Sequence, residues 1–390
     1  MPYGYLVSTV LLAVGTALSV APIRRPGPLA ALSFRVGLVM NESPLLALVL
    51  LTASTALAGA QHDLDTVAGR CVLGLAALTA VGLSIVVRRG RRAAPTIDAA
   101  LATGLAVLGR PAFARPPGLR RRWPWARIVI GPWLVRRRDV ERTAGLSYGP
   151  AGVRNQLDVY RHRSRPTDAP VFIHFHGGRF ARGRKNTQSL PLLYRLASQG
   201  WTCISANYRL TPEVSFPGHL VDAKAVVAWA REHAAAIGAD PGVIVVAGSS
   251  AGGHLAAMAA FTPNDPRFQP GFEAADTSVA AVVGLNGYYG PMSGPSPLAS
   301  SPADYVTAGA PPCLIVHGDH DTLVPVEAVR EFVETVRASS GAAVVYAELP
   351  GALHSFDLLH SIRFEAVIDG VETFLAAVRS RPGRPRPSGS

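Results

Sequence analysis

Cysteine is scarce in this chain of 390 residues. Only Cys71, Cys203 and Cys313 occur, each inside a separate apolar run. That spacing excludes a disulfide framework and a thiolate metal site. Lysine is scarcer, with Lys185 and Lys224 alone, so the formal net charge of +12 rests on arginine. Acidic residues are thin in one stretch above all: between positions 88 and 143, fourteen arginines face only Asp98, Asp139 and Glu141, a local +11 out of the +12. The basicity is therefore regional. No pattern of a nucleic-acid-binding fold accompanies it, and nucleic acid is not expected as a partner.

What the chain has in quantity is apolar sequence near its start. Tyr5 to Val20, Leu45 to Ala60 and Cys71 to Val87 are apolar runs of 16 to 17 residues, read as three membrane spans near the short end of the usual length. Ser43-Pro44 has the form of a helix start, and it separates the second span from an Arg35-containing segment placed at the interface. Arg24, Arg25 and Arg35 lie between spans one and two, and Arg88, Arg89, Arg91 and Arg92 follow span three; the loop Gln61 to Asp65 carries acids instead. Positive charge faces the cytoplasm, so the N-terminus is expected outside and the remainder of the chain inside, as in a multi-pass protein of the cell membrane. A cleaved signal peptide over residues 1–22 is the rival, but no basic residue precedes the apolar run. Trp123, Trp125 and Trp133 interleave with Arg120, Arg121, Arg122, Arg127 and Arg136 to Arg138, a mixture that suits anionic lipid headgroups.

Chemistry enters at Gly248-Ser249-Ser250-Ala251-Gly252, between the apolar run Val243 to Ala247 and the helical run from Gly253 to Met258. A serine hydroxyl is a poor nucleophile, so an acyl-transfer enzyme exposes it on a sharp turn where a base and backbone N–H groups can reach it. The glycines let strand and helix approach closely, and Ser250 is the central residue. Such a pentapeptide arises by chance in a glycine-rich chain, so its context decides. Upstream, the strand-like run Val171 to Phe175 ends in His176-Gly177-Gly178, where paired glycines allow main-chain N–H groups to point into a site. Downstream, Cys313 to Val316 leads into a loop with Asp319 and Asp321, either of which could be the acid. Ala343 to Leu349 then leads to Gly351-Ala352-Leu353-His354. His317 and His320 lie on the acid strand or its loop and would have to cross the site, which leaves His354 as the base. His174 alternates with apolar neighbours and reads as a core histidine, and Asp357 as a cap or brace for the following helix.

Taken together, residues from about 144 to 379 resemble an α/β-hydrolase of the esterase and lipase group with a His-Gly-Gly loop, similar to hormone-sensitive-lipase-like and feruloyl-esterase-like carboxylesterases. Leu157-Asp158-Val159-Tyr160, Asn207-Tyr208-Arg209-Leu210, Phe216-Pro217, Asp222 and Trp229 add to the likeness. The resemblance implies a mostly parallel sheet with helices on both faces and a triad of Ser250, Asp321 and His354, with Asp321 preferred to Asp319 by position. His354 would take the serine proton while Asp321 fixes its tautomer, and the N–H groups of Gly178, Arg179 and Ala251, with Gly177 shaping the loop, would hold the oxyanion. No metal and no organic cofactor is expected. Arg179 departs from the small or aromatic residue usual in lipase-like members; its guanidinium either turns outward or binds an anionic substrate group. Ser249 departs from the acidic residue common in hormone-sensitive-lipase relatives, which favours the feruloyl-esterase-like side.

The domain reading is then a membrane anchor over 1–92, a basic linker over 93–143, a catalytic domain over 144–379 and a disordered tail over 380–390. The connection from Gly284 to Pro311 is too short for a large cap, so residues 97–143 are expected to cover part of the acyl pocket. The leading function is a membrane-anchored carboxylesterase or lipase acting on short to medium acyl esters, lipid esters included. Its rivals are a serine peptidase or acyltransferase of the same fold, and a noncatalytic membrane module. No propeller-like repeats precede the domain, which counts against a prolyl-oligopeptidase-like enzyme.

Overall fold

Alanine and leucine, two of the strongest helix formers, abound in the first hundred residues, and the apolar runs they share with valine favour helices. The computed structural model, which describes residues 3–23, 28–108, 123–294 and 296–379, accordingly begins with helices alone. These are α1 (Tyr3–Val20), α2 (Pro28–Glu42), α3 (Pro44–Ala60) and α4 (Val67–Leu105). Pro44 has no N–H to offer and disfavours helical geometry in Ser43 before it, so the chain breaks there and α3 leaves α2 at 83°. The Ser43 hydroxyl makes no capping bond. α1 and α4 are each long and apolar enough to cross a membrane, whereas α3, at 17 residues, meets that test only together with α2 as a bent pair. Arg24 and Arg25 lie outside the described residues, as do Arg120 to Arg122 and the tail.

One boundary read from the sequence is corrected. α4 opens on Thr66, whose Oγ1 accepts the Gly69 N–H at 2.9 Å, and continues without interruption for 39 residues, about 58 Å at 1.5 Å per residue. Residues 93–105 are therefore no linker. They present Ala93, Ile97, Leu101 and Leu105 to the hydrolase, all buried in the same apolar cluster as Phe364, Val371 and Phe374. Gly104 and Gly370 make this closeness possible, since a Cβ on Gly104 would stand 2.8 Å from Val345 and one on Gly370 would collide with Ile97.

After α5 (Trp125–Val129), strands and helices alternate: β1 (Val140–Ser147), β2 (Gln156–His162), β3 (Ala169–Phe175), α6 (Leu190–Ser198), β4 (Thr202–Ala206), α7 (Gly218–Glu232), β5 (Ala239–Ser249), α8 (Ala251–Phe261), β6 (Ala281–Leu285), β7 (Cys313–Gly318), α9 (Val326–Ser339), β8 (Val344–Leu349) and α10 (Ile362–Arg379). They build one eight-stranded sheet in the order β1-β2-β4-β3-β5-β6-β7-β8. β2 runs antiparallel to both of its neighbours, and every other pairing is parallel. β3, β4, β6 and β7 are buried along their whole length, and β5 is buried from Ile244 onward, as strands covered on both faces must be. α7, α8 and α9 fill one face; α6, α10 and the second half of α4 fill the other. The fold is the α/β-hydrolase fold. Parallel strands aim their carboxyl ends at one edge of the sheet, and the loops that follow β3, β5, β7 and β8 meet there.

Candidate active site

Ser250 stands between the last residue of β5 and the first of α8 with φ 54° and ψ −119°, a backbone conformation that residues with a Cβ rarely adopt. Four main-chain bonds hold it there: its N–H reaches Leu285 O at 3.0 Å, and its carbonyl accepts Gly253 N–H at 2.9 Å, Tyr288 N–H at 3.1 Å and His254 N–H at 3.3 Å. The elbow needs its small neighbours. A Cβ on Gly252 would run into the Phe175 carbonyl, one on Gly248 into the backbone of Gly252, and one on Gly177 would stand 2.8 Å from Ser250 Cβ.

The loop after β3 lies beside the serine. Tyr208 donates its hydroxyl to His176 O at 2.8 Å, and Gly178, Arg179 and Phe180 follow at φ 126°, 58° and 58°. The Gly177 N–H is already given to Gln188 Oε1 at 2.5 Å, so Gly177 shapes the loop. By contrast, the N–H groups of Gly178, Arg179 and Ala251 have no acceptor among the described residues. Three free donors beside a serine are what a developing oxyanion requires. Arg179 is exposed.

Asp321 and His354 are brought together from the loops after β7 and β8. Asp321 Oδ2 lies 2.6 Å from His354 Nδ1, and Oδ1 accepts the N–H groups of Leu323 at 2.9 Å and Val324 at 2.8 Å. Both side chains are buried. Burial opposes charge on Asp321, but His354, His317 and the Val324 N–H outweigh it and hold the carboxyl below its usual range. Burial likewise opposes the imidazolium form of His354, yet Asp321, and after it Asp357, keep its pKa above the ordinary histidine value of 6.5. The rivals are placed elsewhere. Asp319 Oδ1 takes the Gly351 N–H at 2.6 Å and closes a turn, and His317 Nε2 lies 3.0 Å from Val324 O and 3.4 Å from Asp321. Burial drives His174 and His176 down to about 4, which leaves them neutral. The hydrogen bond between Ser250 and His354 is not formed in this structure, a common looseness before substrate binds.

Two parts of the surroundings were not legible beforehand. The group from the N-terminal helices that meets the histidine is Phe34 of α2, edge-on to the His354 ring at 6.1 Å between centroids. The described part of 97–143 lies elsewhere: Trp123 Nε1 donates to Asp369 at 3.1 Å, and Pro132 O accepts the His360 N–H at 2.8 Å. Nor does Asp357 cap α10. Ser361 does, accepting the Phe364 N–H at 2.9 Å, while the Asp357 carboxyl turns back under the elbow. No group of histidines, cysteines and carboxylates suited to a metal ion occurs among the described residues.

Comparison with known proteins bears on what this arrangement does. A family model described as BD-FAE matches residues 157–293. The chain is 39% identical over 407 aligned positions to the probable carboxylic ester hydrolase LipM of Mycobacterium tuberculosis, an alignment that takes in 96% of this chain and 93% of that one, the N-terminal helices included. Esterase LipC of the same organism is 38% identical over 333 positions, 77% of this chain and 79% of its own. Among solved structures, esterase 2 of Thermogutta terrifontis with butyrate bound superposes with a TM-score of 0.56 at 24% identity, covering 64% of this chain and 97% of that one. The same esterase phosphorylated by paraoxon gives 0.55 at 25% identity, with 64% and 98% covered. With an elbow, a Gly-Gly loop and a buried acid–histidine pair at one sheet edge, and with LipM aligned along nearly its whole length, the chain belongs to the α/β-hydrolase carboxylic ester hydrolases.

Proposed function

We propose that the protein is a membrane-anchored serine esterase that cleaves short to medium acyl esters, lipid-derived esters among them, through an acyl-enzyme on Ser250. The observation that carries this reading is a strained serine beside three unengaged N–H groups, with a buried histidine bonded to a carboxylate in the adjoining loop. His354 takes the hydroxyl proton through Nε2 as Ser250 attacks the ester carbonyl. Asp321 holds Nδ1 protonated and favours the imidazolium that forms. Gly178, Arg179 and Ala251 donate to the oxyanion. The imidazolium then protonates the leaving alcohol, and water, activated by the same histidine, releases the acid.

Three facts support anchoring. α1 and α4 are long and apolar enough to span; their outward surfaces are apolar, with Leu11 and Leu78 about 70% exposed; and Arg88, Arg91 and Arg92 stand exposed just past the apolar stretch of α4. The positive-inside rule applied to these arginines supports a hydrolase on the cytoplasmic side, and the mixture of Trp125, Trp133, Arg137 and Arg138 suits the headgroup level. The butyrate bound to the Thermogutta esterase supports a short acyl preference.

The test is hydrolysis of p-nitrophenyl esters from two to sixteen carbons by the membrane-embedded protein. Ser250→Ala is expected to lose about 10⁴-fold or more in kcat, and paraoxon is expected to silence the wild type through covalent attachment at Ser250. Activity surviving the substitution, or paraoxon attached at another residue, would overturn the assignment.

A further inference from the structure

A second buried carboxyl group lies under the elbow, and the proposed mechanism does not use it. Asp357, three residues after His354, is wholly enclosed. Its Oδ2 accepts the hydroxyls of Ser249 at 2.5 Å and Ser189 at 2.6 Å, its Oδ1 accepts Asn286 Nδ2 at 3.1 Å, and its backbone carbonyl accepts the Ser189 N–H at 3.1 Å. Ser249 Oγ lies in turn 2.9 Å from His174 Nε2. Four loops and one strand therefore converge on a single carboxyl group: the elbow, the turn into α6, the loop after β6, the histidine loop and β3. Donors surround it, yet no lysine or arginine pairs with it among the described residues. An enclosed carboxylate without a cation is expensive to keep, and for packing alone an apolar residue of that size would serve as well or better.

We propose that Asp357 is a positioning residue of this site, tying the nucleophile elbow to the histidine loop through Ser249 and lending its negative charge to the imidazolium form of His354. The inference rests on the reading of Ser250 and His354 as nucleophile and base. The residue on the serine's N-terminal side and the residue three past the histidine share a hydrogen bond, so any drift of one loop from the other must break it. The charge has few competitors. His354 is faced by Asp321 from the loop after β7, with His317 behind that carboxylate, and by Phe34 from α2, which carries no charge. Glu42 of α2 is engaged by Arg363, and Arg89 of α4 lies against Gly351 at the far end of the loop. On its other side the titratable group near Asp357 is His174, kept neutral by burial. Among the described residues, Asp357 is thus the acid besides Asp321 that favours the charged form of His354.

The full-length protein in detergent, assayed with p-nitrophenyl butyrate across pH, tests this. The base must be neutral to accept a proton, so kcat/KM falls as pH falls through the His354 pKa. Asp357→Asn retains an oxygen for Asn286, and the serine hydroxyls can rotate to accept from its amide; only the charge goes. It is expected to move the acid limb of the profile down by about half a pH unit or more. The exchange Ser249→Asp with Asp357→Ser puts the carboxyl group back from the opposite side of the same hydrogen bond and is expected to return the limb toward its wild-type position. Ser249→Ala keeps the charge but cuts the tether; its limb should stay in place while kcat falls several-fold. An unmoved limb in Asp357→Asn overturns the electrostatic role. Should that variant not fold, a wild-type kcat in Ser249→Ala overturns the tether. Ser250→Ala assayed alongside keeps the two readings apart: activity that survives it sinks the triad, whereas an unmoved limb in a serine-dependent enzyme sinks only the role of Asp357.

Discussion

The two halves of α4 are made of similar residues and meet different surroundings. Before Arg88, Leu78 and Val81 point outward, 71% and 59% exposed; after it, Ile97 and Leu101 are 1% and 3% exposed against α10 and β8. A helix apolar all round belongs in a nonaqueous medium, whereas a helix with one buried stripe belongs on a protein core. One helix carries both kinds of surface, and its continuity couples them. The half that the membrane reading calls a span is a rigid extension of the half that completes the hydrolase. A second joint reinforces the first. Glu42, at the end of α2, forms a buried ion pair with Arg363 near the start of α10, and it also accepts the Ser361 hydroxyl at 2.7 Å. In this chain the apolar helical region is built into the hydrolase rather than hung from it.

The joint at Glu42 is where the comparison is easiest to break. Glu42→Ala leaves Arg363 buried without its partner and is expected to cost about 3–5 kcal/mol, read as a lowered Tm in detergent. Pairing Glu42→Leu with Arg363→Met should recover most of that loss. A Tm unchanged in the single variant would mean that the two regions are only neighbours. Within α4, Leu101→Ala is expected to cost about 2–5 kcal/mol as a core truncation, while Leu78→Ala in the same detergent should stay within about 0.5 kcal/mol. Equal losses would remove the distinction between the halves. On catalysis a modest effect is expected from Phe34→Ala, which takes the α2 ring from beside His354: about two- to tenfold in kcat/KM, in line with about 0.5–1.5 kcal/mol for an aromatic pair, and larger for the sixteen-carbon ester than for acetate. A uniform change across the ester series would mean that α2 does not bear on acyl length.

The catalytic motifs were legible because each is local. Gly248 to Gly252 encodes its own turn, Gly177-Gly178 encodes a backbone that no residue with a Cβ would follow comfortably, and the order of serine, acid and histidine along the chain matches the order of β5, β7 and β8 in the sheet. The choice between Asp319 and Asp321 was not local. It turned on which carboxylate reaches a histidine 33 residues later, and Asp319 is taken up instead by the Gly351 N–H. Residues 93–105 were misread as a linker because arginines at 88, 89, 91 and 92 mask the stripe of Ala93, Ile97, Leu101 and Leu105 that follows them. The helix also passes through Pro95 without ending.

From the sequence alone came the hydrolase class, the candidate serine, acid and histidine in order, and the apolar character of the first helices, since periodicity, turn chemistry and hydropathy are properties of adjacent residues. Tertiary structure alone decided that Asp357 reaches Ser249 across 108 positions, that Glu42 reaches Arg363 across 321, that Phe34 of α2 meets His354, and that α4 belongs to both regions. The reason is physical: a buried polar group must find its partner wherever the chain has folded, and which groups are buried is settled only when the two faces of the sheet are covered.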